Sequence, residues 1–346
     1  MLLFRPFPRV FFLKNLAGIT SEAFRLKYNP SIKGVSEEML QWYLKFGVHD
    51  EIHGEKYARR GQFDAFAELS FPDADPEHLK TCLAFFYWAF STDDLSDEGD
   101  LQAKPERVMD SINKCRQALY NLGETPFYPY ASMLQDLFIS IKATATPGTC
   151  NRFIRAYEAF SESQIMQSRQ RSRNTILPVG DFIALRRSTI GAALVEAMVE
   201  YSLDINLPDY VFENEVVKAL SDATTDIMTW PNDLCSFNKE QADNDFQNLV
   251  CCIMVEQNIE LQAAINVLTD MLEARVHEYL ALKKSLPSFG DTVDLQLSKY
   301  LSALENFVQG TVVWYYLSPR YFSEDDRRVA LKQKCINIKL MPSGSS

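Results

Sequence analysis

The stretch Leu79-Lys80-Thr81-Cys82-Leu83-Ala84-Phe85-Phe86-Tyr87-Trp88-Ala89-Phe90, followed by Ser91-Thr92-Asp93-Asp94-Leu95-Ser96-Asp97, decides how this chain is read. The first part is apolar on every side of a helix, and such a helix lies inside a large protein. The second part puts carboxylates at its C-terminal end. Asp93 and Asp97 are four residues apart and share one helical face. Asp94 points about 100° away. Two buried carboxylates cannot stay charged and unpaired without large cost. Either a hard cation shares them, Mg²⁺ or Mn²⁺ rather than zinc or copper, or the cluster, extended by Glu98 and Asp100, is a solvated acidic loop.

Outward from this helix, helical signals dominate. Ser36 is the expected N-cap of a helix to Phe46, with Glu37 and Glu38 in its first turn. Pro105 to Leu122 has helical periodicity, and Gly123 stands where a C′ glycine would close it. Further helices are expected over Pro126 to Ala143 and Thr149 to Arg171. A short one from Pro178 to Arg187 is interrupted by Gly191 and resumes from Ala192 to Leu203. Val211 to Glu240 reads as one long helix with Pro231 inside it, where proline ordinarily costs about 3 kcal/mol. Leu249 to Asn258, Leu261 to Lys284 and Asp291 to Leu317 complete the set. No β alternation or repeat stands out. The expected fold is all-α, a single domain over residues 1–346 with a loose tail at 341–346.

Composition narrows the function. The chain has 346 residues, 47% of them hydrophobic, enough for a large core. Its formal charge of −11 disfavours nucleic acid and anionic membrane surfaces. The seven Cys contain no C-x-x-C pair, so buried thiols in a reducing compartment are expected rather than disulfides or zinc. Charged residues and prolines interrupt the apolar start, and nothing approaches the roughly 20 apolar residues of a membrane span. A soluble, cytoplasmic protein is expected, monomeric or homodimeric.

A second constellation lies in the long helix: Asn232-Asp233-Leu234-Cys235-Ser236-Phe237-Asn238-Lys239-Glu240. Asn232, Ser236 and Glu240 recur every four residues and stack an amide oxygen, a hydroxyl and a carboxylate along one face. Alone, this is also the pattern of an ordinary polar stripe.

Together the two stretches resemble class I terpene synthases, fungal and basidiomycete-type sesquiterpene synthases in particular. That family carries D-D-x-x-D and, downstream, N-D-x-x-S-x-x-K-E. The resemblance covers about residues 30–321. It implies a helical bundle with the active site in a central cavity. It implies Mg²⁺, three ions with Mn²⁺ able to substitute, held by Asp93 and Asp97 on one side and Asn232, Ser236 and Glu240 on the other. Lys239 and the pair Arg320-Tyr321 would contact the substrate diphosphate. Arg186-Arg187 stands where the family keeps a diphosphate-sensing arginine, and Arg187 is favoured because it precedes Gly191 by four residues. Gly191 would be the helix break whose carbonyl faces the substrate. Ile190 replaces the aspartate often found between sensor and glycine.

The implied activity is ionisation of a prenyl diphosphate followed by cyclisation; the single-domain length suits farnesyl diphosphate, and the resemblance leaves geranyl and geranylgeranyl diphosphates open. A ten-membered first closure to cadinane-type products is expected. Metal ions and cationic side chains stabilise the charge developing on diphosphate. The carbocation needs a dry cavity lined by aromatic faces. Phe86 and Ala89 share the face of Asp93, and Trp314 resembles the family's cavity tryptophan. Phe85, Tyr87 and Phe90 are expected to serve packing. The alternatives are a chain-elongating prenyltransferase of the same fold, which uses two aspartate-rich motifs, and a non-catalytic helical scaffold or ligand-binding protein.

Overall fold

The computed structural model describes residues 7–97, 101, 104–173 and 175–342. Its elements in chain order are β1 (Val10–Lys14), α1 (Leu16–Thr20), α2 (Ile32–Leu44), α3 (Glu51–Gly61), α4 (Phe63–Ser70), α5 (Pro76–Asp97), α6 (Pro105–Tyr120), α7 (Pro129–Thr144) and α8 (Pro147–Arg173). Then follow α9 (Val179–Thr189), α10 (Ala192–Ser202), α11 (Asp209–Phe212), α12 (Glu215–Ala242), α13 (Leu249–Gln257), α14 (Leu261–Lys284), α15 (Asp291–Leu317), α16 (Glu324–Ala330) and β2 (Cys335–Lys339). The all-α expectation holds for the body of the molecule.

Local chemistry sets many of the boundaries. The side chains of Asn15, Asp50, Asn214, Asn248 and Ser323 cap α1, α3, α12, α13 and α16 by accepting backbone N–H bonds. Pro105 and Pro129 open α6 and α7, where a missing N–H costs nothing. Helix α5 is buried as its composition demands: Leu79 and Cys82 through Trp88 are all in the core. It packs against α2, α7, α4 and α10, while α12 packs against α14 and α15, and α15 against α4. The walls of a central space come from α4, α5, α8, α9, α10, α12 and α15.

One close approach depends on a missing side chain. A Cβ at Gly310, in α15, would stand 2.6 Å from the carbonyl carbon and oxygen of Leu69 in α4. Glycine lets these two helices touch and so brings the aromatic faces of α4 and α15 together.

The structure corrects several boundaries. Val10–Lys14 and Cys335–Lys339 form an antiparallel pair, Val10 opposite Lys339 and Lys14 opposite Cys335. Each strand alternates exposed and buried residues with period two, a signal too short to stand out in either alone. Ser36 lies inside α2, whose N-cap is Ser31. Helix α6 ends at Tyr120, so Gly123 closes nothing. The segment from Val211 to Glu240 is interrupted at Glu213–Asn214, where Asn214 caps α12 afresh. Of the expected loose tail, Met341 is tied to α12 through its backbone, and residues 343–346 lie outside the described residues.

Candidate active site

The central space is a cavity that opens to solvent. Its polar rim carries Asp93 and Asp94 from α5, Arg186 from α9, Asn232, Ser236, Lys239 and Glu240 from α12, and Arg320 and Tyr321 from the segment after α15. Its apolar wall carries Phe66, Phe85, Phe86, Trp88, Phe90, Phe160, Phe307, Trp314 and Tyr315.

The first acidic stretch contributes unequally. Asp93 lines the cavity. Asp97 is the last residue of α5, and its side chain falls outside the description. Asp94, which spacing alone points away from Asp93, also lines the cavity and carries an ion pair. Arg320 donates Nη1 to Asp94 Oδ2 at 2.8 Å and Nη2 to Oδ1 at 2.5 Å. Tyr57 donates its hydroxyl to Oδ2 at 2.8 Å. Burial pushes the Asp94 carboxyl up. The charge and hydrogen bonds of Arg320, the charge of Lys239 and the Tyr57 hydroxyl outweigh that, so it sits below the usual carboxylate range. The Arg320 guanidinium also lies 5.3 Å over the Phe90 ring.

The second constellation runs down α12. Asn232 Oδ1 accepts from Arg186 Nη2 at 2.8 Å, and its Nδ2 donates to the Tyr321 hydroxyl at 3.4 Å. Ser236 is 1% exposed, and its Oγ has no hydrogen-bond partner among the described residues. Glu240 Oε2 accepts from Asn248 Nδ2 at 2.8 Å. Burial, reinforced by Asp245 and Asp233, pushes the Glu240 carboxyl up to about 7. Asp243, one turn further on, lines the same cavity. Its position eleven residues after Asn232 extends the same helical stripe.

These groups fit a hard divalent cation. A buried hydroxyl with no partner is costly unless something meets it, and here it lies between an amide oxygen and a desolvated carboxylate. Among the described residues no three His, Cys, Asp or Glu side chains converge, so a cation here would have to be met by this mixed, all-oxygen set.

The two neighbouring arginines part company. Arg186 reaches into the cavity rim, with Nε 3.2 Å from Asp233 Oδ1. Arg187, favoured on spacing to Gly191, does not line the cavity. It donates to both oxygens of Asp226, at 2.8 and 2.7 Å, and to Asp222 at 2.9 Å. Arg275 of α14 joins Asp226 from the other side at 2.9 Å. The Arg187–Asp226–Arg275 cluster binds α9 to α12 and α14, and consecutive helical residues point about 100° apart, which turns Arg186 inward.

Gly191 has φ +76°, the left-handed region that favours glycine. It breaks α9 from α10 at the cavity wall. Its carbonyl accepts from Val195 N at 3.1 Å within α10, a helical partner that the expected substrate-facing role did not include.

The apolar wall is more organised than the sequence implied. Phe66 of α4 is sandwiched between two rings, Phe86 at 4.0 Å and 5° and Trp314 at 4.2 Å and 9°. Trp314 Nε1 donates to the carbonyl of Gly61 at 2.9 Å, which holds the indole in place. Phe85 and Phe90, expected to serve packing, line the cavity; Tyr87 does not, and stacks on Tyr43 at 4.8 Å. Phe66 was missed, although Phe63, Phe66, Ala67 and Ser70 show helical i, i+3, i+4 spacing with all four buried.

Comparison with known proteins agrees with this architecture. The model for "Terpene synthase family 2, C-terminal metal binding" matches residues 84–278. The chain is 28% identical over 316 residues to sesquiterpene synthase Agr1 of Cyclocybe aegerita, covering 88% of this chain and 87% of that one. It is 27% identical over 328 residues to alpha-muurolene synthase of Coprinopsis cinerea, covering 93% and 76%. The crystal structure of germacradien-4-ol synthase from Streptomyces citricolor shares the fold at a TM-score of 0.74 and 19% identity, covering 84% and 96%. Among the described residues no helix is long and apolar enough to cross a membrane. The resemblance read from the two motifs is thus borne out, and the chain belongs to terpene synthase family 2, as a terpene cyclase of the all-α class I fold.

Proposed function

We propose that this cyclase is a sesquiterpene synthase acting on farnesyl diphosphate with Mg²⁺. One observation carries the proposal. A stripe of oxygen donors containing an unpartnered buried hydroxyl, Ser236, faces the same cavity as a stack of aromatic rings. A polar end suited to diphosphate and an apolar end suited to a hydrocarbon chain are thus joined in one space.

Asn232, Ser236 and Glu240 would hold Mg²⁺ from α12, and Asp93, with Asp97, from α5. Three ions are the expected complement. Bound there, Mg²⁺ supplies electrophilic charge at the diphosphate oxygens, which stabilises the leaving group. The protein's own cations do the rest at that end. Arg186, Lys239 and Arg320 line the rim and offer charge-assisted hydrogen bonds to diphosphate, and the Tyr321 hydroxyl adds another. Arg186 and Arg320 rest on Asp233 and Asp94, so their charge is already oriented before substrate arrives.

At the other end, Phe86 and Trp314 meet the carbocation, and Phe66, stacked between them, holds both rings in place. Aromatic quadrupoles stabilise a desolvated cation by about 2 kcal/mol or more. Phe85, Phe90, Phe160 and Phe307 exclude water that would quench it early. Asp94 bears chiefly on Arg320, and Arg187 on the pose of α9. We also propose a ten-membered first ring closure leading to a cadinane-type skeleton.

Incubation of the purified protein with geranyl, farnesyl and geranylgeranyl diphosphates and Mg²⁺, each with and without isopentenyl diphosphate, followed by gas chromatography–mass spectrometry of the products before and after phosphatase treatment, tests this. The expected result is a cyclic C15 product from farnesyl diphosphate. A longer linear prenyl diphosphate would make the protein a chain-elongating transferase. No turnover of any of the three would make it a scaffold.

A further inference from the structure

The face of α12 turned away from the oxygen donors is held by both ends of the chain. At about 100° per residue, Phe237, Asn238 and Gln241 lie roughly 100–200° round the helix from Ser236. Asn238 Nδ2 donates to the Lys339 carbonyl at 3.0 Å, and its Oδ1 accepts from Met341 N at 2.8 Å. Gln241 Nε2 donates to the Met341 carbonyl at 2.7 Å. Both side chains are 4% exposed, so water does not compete for these bonds. Phe237 takes Phe7 and Phe11 edge-on, with centroids at 5.6 and 6.0 Å. The β1–β2 pair then ties the two ends together, and Leu340 N donates to the Arg9 carbonyl at 3.0 Å.

This grip lies about two to three turns beyond the weak point of α12. Pro231 lacks an N–H, so the helix is one hydrogen bond short immediately before Asn232. The contacts on its sides therefore add to the restraint that the remaining helix bonds place on the segment after Pro231. Magnesium demands near-ideal octahedral oxygen geometry, and a misplacement of about 1 Å in a site can cost on the order of 100-fold.

We propose that Asn238 and Gln241 are positioning residues. By gripping the C-terminal strand they fix the rotation of α12 and aim Asn232, Ser236 and Glu240 at one ion. This rests on the reading of those three side chains as magnesium ligands. The terminal sheet is then part of the metal site at one remove, although neither strand lines the cavity.

The test uses the full chain, Asn238→Leu and Met341→Pro. Asn238→Leu removes both side-chain bonds, while Met341→Pro removes one backbone donor at the half-buried edge of the fold. Binding of inorganic diphosphate is titrated against Mg²⁺ by calorimetry, and turnover of farnesyl diphosphate is measured over the same Mg²⁺ range. The half-saturating Mg²⁺ concentration should rise about tenfold in Asn238→Leu, the scale of lost outer-sphere support. It should rise less in Met341→Pro, with turnover recovering at high Mg²⁺ in both. A purely structural clamp would lower the melting temperature and leave the Mg²⁺ dependence unmoved, which overturns the proposal. Should Asn238→Leu fail to fold, an unmoved Mg²⁺ dependence in Met341→Pro overturns it equally. Wild-type protein that binds no diphosphate at any Mg²⁺ concentration defeats the metal-site reading itself, and this inference with it.

Discussion

Replacing Asp94 by leucine removes the counter-ion of a guanidinium that the fold has nearly sealed from water. Arg320 is 9% exposed, its two Nη groups bond Asp94, and its Nε has no partner among the described residues. Breaking a buried ion pair on one side costs about 3–5 kcal/mol, because the other charge stays buried. The Tyr57 hydroxyl loses its acceptor too, which adds about 1 kcal/mol or more. For a chain of this size 1 kcal/mol is worth roughly 1–2 °C, so the melting temperature should fall by about 4–12 °C. Arg320→Met alone should fall by a similar amount. The double variant, with both charges gone, should recover at least half of the loss, since apolar replacement of a whole buried pair is often near neutral. Thermal unfolding of the four proteins in one buffer completes the cycle. Strictly additive losses, or a single-variant shift below about 1 °C, would refute the view that this pair is tightly coupled and desolvated.

Other consequences follow from single contacts. Gly310→Ala should lower the melting temperature by several degrees or yield insoluble protein, since the new methyl meets the Leu69 backbone and not a flexible side chain. Arg186→Gln should weaken diphosphate inhibition more than Arg187→Gln, whose main effect should be lower thermal stability; the reverse order would restore Arg187 as the sensor. Burial pushes the Glu196 carboxyl up to about 7, against the hydrogen bond from Ser221. With the folded value above the unfolded one, its contribution is fully present below about pH 4 and lost as pH rises through 7. Glu196→Gln should therefore raise the melting temperature relative to wild type at pH 8 and leave the difference small at pH 5. Equal shifts at both would contradict that burial.

Much of this architecture was legible because it rests on local periodicity. The run from Leu79 to Phe90 had to be buried, and the oxygen donors of α12 had to share a face, whatever else the fold did. The choice between Arg186 and Arg187 was not legible. Their residue types are identical, and only Asp226 and Arg275, brought from α12 and α14, show which one is turned away. Phe66 escaped for a similar reason. Its importance lies in being sandwiched by rings from α5 and α15, separated from it in sequence by 20 and 248 residues. The β1–β2 pair joins the two ends of the chain, and each strand alone is five residues of weak alternation. Helix geometry turns Asp94 about 100° from Asp93, which places a Cα but does not foresee that Arg320 arrives from beyond α15 to meet it.

The account stands on Ser236 and its neighbours on α12 being the magnesium side of a diphosphate site. Calorimetric titration of inorganic diphosphate into the protein, with and without Mg²⁺, tests that directly, using Ser236→Ala and Asn232→Ala beside the wild type. Binding that needs Mg²⁺ and is lost in both variants, with melting temperatures unchanged, is the predicted result. Equally tight binding without Mg²⁺, or in the two variants, would contradict it.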